Sequence, residues 1–309
     1  MNKNSYLSAD NKTNIAYYIF EDKQAKPVAV LQISHGMQEH ILRYKSLVKI
    51  LNKNGIVVCG NDALGHGETA NKSGNWGYFA SKDGYKIVLQ DLYTMTKIAK
   101  NKYKNLPFFM LGHSMGSFFA RYYAYIYPTE LNGLILSGTA SRIFGSSLAL
   151  AIMECIKFFN GDKVTFNKLE DFLMQNVLNK YISDVDSFKE WITTNDKKLD
   201  SILKDKKSNF YFTASAYADL LKVLKFVNTT KWAKGIRKDL PILLCSGEKD
   251  PIGNYGKGVQ NVHNLLKNEG LVDINIKLYK NARHELHSEK QVVSKEFFND
   301  VITFIKNRI

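Results

Sequence analysis

Pro107-Phe108-Phe109-Met110-Leu111 runs directly into Gly112-His113-Ser114-Met115-Gly116, and these ten residues decide the fold. The apolar run reads as a short buried strand, and Phe118 to Tyr127 reads as a helix. A strand, Gly-X-Ser-X-Gly and a helix in succession form a nucleophile elbow. The turn is tight enough to force the serine into a strained backbone conformation, and side chains two residues to either side would collide. Glycine at both flanks removes the collision. Ser114 should then present its hydroxyl at the carboxyl end of a sheet, where open α/β sheets bind ligands.

The 309 residues suffice for one large α/β domain with an insertion, or for two smaller domains. An apolar fraction of 45% is ordinary for a globular protein, and no stretch reaches the roughly 18 uninterrupted apolar residues of a membrane span. Met1 to Phe20 is polar and Asn-rich and lacks the apolar core of a signal peptide, so a cytoplasmic location is expected. The three cysteines, Cys59, Cys155 and Cys245, make no metal or redox spacing and read as small core hydrophobes. A formal charge of +14 invites a nucleic-acid reading. The lysines are scattered and interleaved with acids, however, and no nucleic-acid motif is present. The charge reads as a solvated surface, with weak peripheral attraction to anionic membranes as the minority expectation.

Outward from the elbow, apolar β-branched runs alternate with helical patterns. Strands are expected at Asn14–Phe20, Val28–Ser34, Ile56–Asn61, Phe108–Leu111, Gly133–Ser137, Ile242–Ser246 and Ile274–Tyr279. The alternation implies a mostly parallel sheet covered by helices on both faces. With no helix between the first two runs, an antiparallel hairpin is expected to start the sheet. Between about Ser141 and Gly235 the alternation stops and helical patterns take over: Leu148–Phe159, Asn167–Tyr181, Ser187–Thr193, Lys197–Lys204 and Phe212–Phe226. This divides the chain into a core at 1–140 and 236–309 and a helical insertion at 141–235. The first insertion helix is apolar on nearly every face, so it needs burial, a partner or lipid. Ile152 and Ile156 are expected to line an acyl tunnel there.

A serine hydroxyl needs a base, and the base needs an orienting acid. On this architecture the chain order is serine, acid, histidine. Asp250, just past Ile242–Ser246, is the candidate acid, with Glu248 and Asp273 as rivals. His284, after the last strand, is the candidate base, with His287 as rival. His-X-X-His without a third ligand in reach is weak for zinc, so no metal is expected. The oxyanion hole needs the N–H after the nucleophile, Met115, and one from a loop after an earlier strand. His35-Gly36-Met37 follows Val28–Ser34 and offers the Met37 N–H.

With these pieces in place the chain resembles the monoacylglycerol lipase and lysophospholipase branch of the α/β-hydrolase superfamily, grouped with serine aminopeptidase-like hydrolases. The matching segments are His35 to His40 with Arg43-Tyr44, Asn61 to Gly67, Gly77 to Ala80, Gly112 to Gly116, Asp250-Pro251, and Arg283 to Leu286, in family order. The resemblance implies an eight-stranded, mostly parallel sheet with a helical lid. It implies a triad of Ser114, Asp250 and His284, Met37 and Met115 as oxyanion donors, and no cofactor. Glu39, Arg43 and His287 would lie near the polar headgroup of a glyceryl ester. Ile41 and Leu42, standing where relatives often carry small residues, would make that pocket more apolar. Asp62 and His66 would have structural hydrogen-bonding roles. The expected activity is hydrolysis of a lipid-like ester, monoacylglycerol or lysophospholipid, through an acyl-enzyme. A small-ester carboxylesterase or an aminopeptidase on the same triad is the alternative, and a non-catalytic ligand-binding relative is a third. The sequence leaves the oligomeric state open.

Overall fold

The strand that ends at the candidate nucleophile is central to one sheet, and the strands around it fix where its end opens. In a computed structural model, residues 1–142, 145–182, 187 and 189–309 are described. Among them eight strands form the sheet: β1 (Asn2–Leu7), β2 (Asn14–Phe20), β3 (Ala29–Ser34), β4 (Ile56–Asn61), β5 (Phe108–His113), β6 (Gly133–Ser137), β7 (Ile242–Gly247) and β8 (Ile274–Tyr279). Their order is β1-β2-β4-β3-β5-β6-β7-β8. β2 runs antiparallel to both its neighbours, and the remaining pairs are parallel. The chain leaves β3 toward β4 on one side and β5 toward β6 on the other. The loops after β3 and β5 therefore diverge, and the crevice between them is where a doubly wound sheet takes its ligand.

The hairpin expected from the sequence does not form between Asn14–Phe20 and the next strand. β2 pairs instead with β1 and with β4. β1 escapes sequence reading because Asn-Lys-Asn-Ser-Tyr-Leu is an edge strand with almost every residue exposed, so it carries no alternating apolar signal.

Helix α1 (Lys45–Lys53) joins β3 to β4, and α2 (Gly67–Ser73) and α3 (Gly84–Lys102) join β4 to β5. α4 (Met115–Ile126) follows Ser114. Between β6 and β7 come α5 (Ser146–Asn160), α6 (Asn167–Leu173), α7 (Asp196–Lys204), α8 (Ala214–Phe226) and α9 (Thr230–Gly235). α10 (Lys257–Asn268) and α11 (Gln291–Lys306) complete the set. The pattern at Asn167–Tyr181 becomes α6 continued by a π-helical turn at Met174–Leu178. The pattern at Ser187–Thr193 gives only a 3-10 turn at Glu190–Ile192, and Phe188 within it lies outside the described residues. No helix among the described residues is long and apolar enough to cross a membrane.

The period of two along β5 sorts the core. Phe108 and Met110 join the layer built with α3, α4, α8 and α9, whereas Phe109 and Leu111 join the layer built with α1 and α11. Cys59 and Cys245 are buried, and burial raises both thiols, Cys245 to about 12. Cys155, expected in the core, is exposed on α5.

The helical segment is fastened to the core through Arg121 of α4, which is fully buried. Its guanidinium donates to the Ala140 carbonyl (2.9 Å) and Thr139 Oγ1 (3.3 Å) where the segment begins. It also donates to the Val227 carbonyl and to Asn228 Oδ1 (3.0 Å) where α8 ends, and it stacks on the Trp232 ring. One side chain thus closes the base of the segment onto the helix that starts at Ser114. Arg121→Met should orphan several buried acceptors at about 1–3 kcal/mol each, lowering stability by ~3 kcal/mol or more. Chemical denaturation measures this, and an unchanged unfolding midpoint would contradict the role.

Candidate active site

Ser114 sits at φ 50°, ψ −121°, a conformation that L-residues rarely adopt. The surrounding backbone holds it there. Its N–H donates to the Ser137 carbonyl (2.9 Å), and its carbonyl accepts from the Ser117 N–H (2.8 Å) and Oγ (2.6 Å). The flanking glycines are sterically required. A Cβ on Gly112 would press on Ala120 Cβ at 2.7 Å, and one on Gly116 would run into the Ser34 and His35 carbonyls. α4 can therefore approach β3 closely enough to bring the loop after β3 beside Ser114.

His284 lies in the loop after β8 and Asp250 in the loop after β7. His284 Nδ1–H donates to Asp250 Oδ1 at 2.9 Å, which leaves Nε2 as the basic nitrogen. Among the described residues Nε2 has no hydrogen-bond partner. Asp250 also accepts from the Ile252 N–H (2.9 Å) and from Ser246 Oγ (3.2 Å). Burial alone would lower the imidazolium pKa, but the Asp250 carboxylate outweighs it and leaves His284 raised above the ordinary value. Burial would raise Asp250, and His284 together with backbone N–H groups reverses this and lowers it. The ring is confined by Gly138, by His113 at 4.9 Å and by Trp191 at 5.0 Å between ring centres. The rival acids stand elsewhere: Glu248 accepts from the Asn281 N–H (3.4 Å), and Asp273 pairs with Arg308 (2.6 Å).

The loop after β3 is pinned from several directions. His35 Nδ1–H donates to its neighbour's carbonyl, Gly36 O (2.8 Å), while Nε2 accepts from the Ala63 N–H (3.0 Å). The Gly36 N–H donates to Glu39 Oε2 (2.7 Å). Asp62 accepts from the Ile41 and Glu68 N–H groups (2.9 and 2.8 Å), and His66 Nδ1–H donates to the Leu64 carbonyl (2.9 Å). Gln38, at φ 57°, donates to Glu170 Oε1 and the Phe210 carbonyl, both 2.5 Å, and so ties the loop to the helical segment. Gly36 packs directly on Ser114, where an added Cβ would lie 3.3 Å from the serine Cβ. Among the described residues the Met37 N–H meets no acceptor. Met115 opens α4, where an N–H has no intrahelical acceptor. Met37, Ser114 and Met115 all line one cavity.

Of the three headgroup candidates, one departs from the expected placement. Glu39 and Arg43 line the cavity at Ser114, but His287 does not. His287 is buried beneath the site, stacked on Tyr44 at 4.2 Å, with Nε2 3.2 Å from Glu39 Oε1. Arg43 forms a two-pronged pair with Glu285 (3.0 and 2.5 Å) and lies 3.8 Å from Glu39. Ile41, expected to make the headgroup pocket apolar, is buried in the layer of α1 and α11, and Leu42 packs against that layer. Glu39, Glu285 and His287 bring ligand-type atoms within 4.8 Å of one another, but the Arg43 guanidinium already supplies the cation between the two carboxylates.

The cavity holds about 210 Å³, and its walls are mostly apolar: Phe118, Met174, Leu178, Leu220, Leu224 and Ile252 among others. Ile152 and Ile156 are not among its lining residues, which corrects the tunnel expectation. α5 packs on α8 from outside, so α8 supplies the cavity wall and Ile152 stays 45% exposed. Sequence reasoning missed four contributors. His113 is held neutral by burial, which pushes it down to about 3. Trp191 and Lys189 line the cavity from the helical segment, and burial lowers Lys189 to about 8. Its ammonium donates to the Ser208 carbonyl (2.7 Å) and Asn209 Oδ1 (3.0 Å). Glu285, the partner of Arg43, and His113 each had a legible signal in standing next to His284 and Ser114; Trp191 and Lys189 belong to no side-chain pattern.

The profile of the family described as Serine aminopeptidase, S33 matches residues 25–291. The monoglyceride lipase of Rattus norvegicus is 27% identical over 284 residues, covering 92% of this chain and 84% of the relative. A highly thermostable carboxyl esterase from Bacillus coagulans, solved in complex with glycerol, superposes with a TM-score of 0.93 at 31% identity, covering 99% of this chain and 98% of that one. A soluble variant of the monoglyceride lipase from Saccharomyces cerevisiae, in complex with a substrate analog, shares the fold with a TM-score of 0.79 at 20% identity, covering 99% and 94%.

The Asp250–His284 pair sets a pH dependence. His284 can accept a proton only when neutral, so activity should fall as pH drops through its folded pKa. That pKa is raised, so the acidic limb of kcat/KM should have its midpoint above histidine's ordinary 6.5. Asp250→Asn removes the carboxylate that raises it, so the limb should shift to lower pH while the plateau drops by roughly 10⁴. A pH–rate profile for both proteins checks this, and an unmoved limb in the variant would contradict the coupling.

Proposed function

The chain belongs to the serine aminopeptidase S33 family, in the monoglyceride lipase branch of the α/β-hydrolases, and on that footing we propose that it hydrolyses lipid-like carboxylic esters by way of an acyl-enzyme on Ser114. The coarser activity, ester hydrolysis, is what its relatives support. The observation that carries the finer reading is a buried Asp250–His284 pair beside a strained serine at the end of an apolar cavity.

In this mechanism His284 Nε2 takes the hydroxyl proton as Ser114 Oγ attacks the ester carbonyl carbon. The carbonyl π pair moves onto oxygen, where the Met37 and Met115 N–H groups hold it. Collapse of the tetrahedral intermediate expels the alcohol, which leaves with the proton from His284. Water, deprotonated in turn by His284, attacks the acyl carbon and releases the fatty acid, restoring Ser114. Asp250 fixes the tautomer and stabilises the imidazolium formed in both halves.

Monoacylglycerol and lysophospholipid are the proposed substrates. An aminopeptidase needs a free carboxylate to hold the substrate ammonium. The carboxylates among the described lining residues are Glu39 and Glu285, and both face Arg43. That arrangement favours the ester. The helical segment at 141–235 acts as a lid in this reading, with its outer face toward lipid. Leu148, Phe158 and Phe159 of α5 are 68%, 82% and 79% exposed, and Leu169, Phe172 and Leu173 of α6 continue the apolar surface. A patch of this kind on a chain of charge +14 suits peripheral contact with an anionic bilayer.

Ser114→Ala should abolish hydrolysis, a loss on the order of 10⁶, and should not label with a fluorophosphonate that labels the wild type. Label on another serine with activity retained would refute the nucleophile. If the cavity binds the acyl chain, each added methylene contributes about 0.8 kcal/mol, so kcat/KM should climb about fourfold per carbon from acetyl esters before levelling. Leu220→Asp, in the cavity wall, should flatten that climb. Ile152→Asp, on the outer face, should leave it intact and weaken flotation with anionic vesicles. A wild-type preference for acetyl over decanoyl esters would favour the small-ester alternative.

A further inference from the structure

Glu39 is 1% exposed and reaches both halves of the site. Its Oε2 accepts from the Gly36 N–H (2.7 Å) and the Tyr44 hydroxyl (3.0 Å). Its Oε1 faces His287 Nε2 (3.2 Å) and the Arg43 guanidinium (3.8 Å). Arg43 grips Glu285, the residue after the base. The carboxylate is thus occupied at Oε2, while Oε1 makes no hydrogen bond among the described residues and lies buried beside His287 and Arg43. Glu39 holds the N–H of the His35–Gly36 peptide, and His35 Nδ1–H holds the carbonyl of the next peptide, Gly36–Met37 (2.8 Å). With that carbonyl fixed and the peptide bond planar and trans, the Met37 N–H must point the opposite way. No acceptor meets it among the described residues. The same carboxylate lies 3.8 Å from the guanidinium that grips Glu285, which links the loop after β3 to the histidine loop.

We propose that Glu39 is a positioning residue for the oxyanion loop, which fixes the His35–Gly36 peptide immediately before the Met37 N–H and, through Arg43 and Glu285, registers that loop on the loop of His284. This rests on the serine-ester reading above and departs from the headgroup role that the sequence suggests for Glu39. A headgroup contact acts on the bound substrate and transition state alike. An oxyanion-loop lock acts only when charge develops on the carbonyl oxygen.

The test compares wild type with Glu39→Gln, which is isosteric, and with Tyr44→Phe, which keeps the charge and removes one bond that fixes Oε2. Three quantities are read: kcat and KM on a decanoyl ester, the affinity of an n-alkyl boronic acid, and the affinity of a 1-O-alkylglycerol ether. The boronic acid forms a tetrahedral adduct on serine, and the ether cannot be cleaved and reports ground-state binding. Glu39→Gln should lower kcat by roughly 10- to 100-fold, with boronic acid affinity falling in parallel. KM and ether affinity should stay within about twofold. Tyr44→Phe should show the same pattern at a few-fold, and it carries the test if Glu39→Gln does not fold. Raised KM and weakened ether binding at unchanged kcat would overturn the proposal in favour of a headgroup contact. Unchanged boronic acid affinity in both variants would overturn it outright. A wild type that neither binds the boronic acid nor labels with a fluorophosphonate would instead bring down the serine-ester reading, and this inference with it.

Discussion

The close approach of α4 to β3 at Gly116 is the constraint on which the rest of the site depends. No side chain fits between Gly116 and the Ser34 and His35 carbonyls, so the helix after Ser114 lies directly on the strand that feeds the neighbouring loop. That contact accompanies the strained backbone of Ser114 and sets the loop carrying Gly36 and Met37 beside the cavity that Ser114 and Met115 also line. Strain at one residue is tolerated because β5 is flanked by parallel strands on both sides and buried on both faces. The central strands are thus a rigid frame for a local conformation that would relax in isolation.

Electrostatics beneath the site follow from depth. Glu39, Arg43, Glu285 and His287 are enclosed together, with two carboxylates around one guanidinium. A single buried carboxylate would take up a proton, but Arg43 and the neighbouring histidines overcome the burial and hold both acids below the ordinary range. The cluster joins the loop after β3 to the loop after β8, which are far apart in sequence. Its members face one another more than they face the cavity, and this separates residues that shape the site from residues able to meet a ligand.

The helical segment contributes in two directions. Inward, α8 and the 3-10 turn at Glu190–Ile192 supply apolar wall, the Trp191 ring beside His284, and a lysine whose charge is weakened by burial. Outward, α5 and α6 leave aromatic and aliphatic side chains in water. Arg121 holds the beginning of the segment and the end of α8 to α4, and Gln38 links its middle to the loop after β3. The wall of the cavity and the loop beside Ser114 are therefore mechanically connected.

Much of this was legible in the chain. Seven of the eight strands, the elbow at Ser114, and Asp250 and His284 as the pair to expect all follow from local pattern, because buried parallel strands are continuous apolar runs and tight turns demand glycine. β1 was not legible, since an exposed edge strand needs no apolar face. Asp250 stood out over Glu248 and Asp273 by its place just past a strand, but its contact with an imidazole 34 residues away is set by the meeting of two loops. Ile152 and Ile156 show the same limit. Their helix is apolar enough to line a cavity, but whether it does depends on α8 lying between it and Ser114. Likewise Glu39 and His287 are expected at a substrate headgroup, and only the meeting of the loops after β3 and β8 shows them facing each other. The sequence by itself determined the sheet, the elbow and the chemical types available to the site, because these rest on periodicity and local sterics. Only the tertiary structure decided which of those residues touch each other, which face the cavity and which are enclosed beneath it, because burial and charge pairing are set by segments distant along the chain.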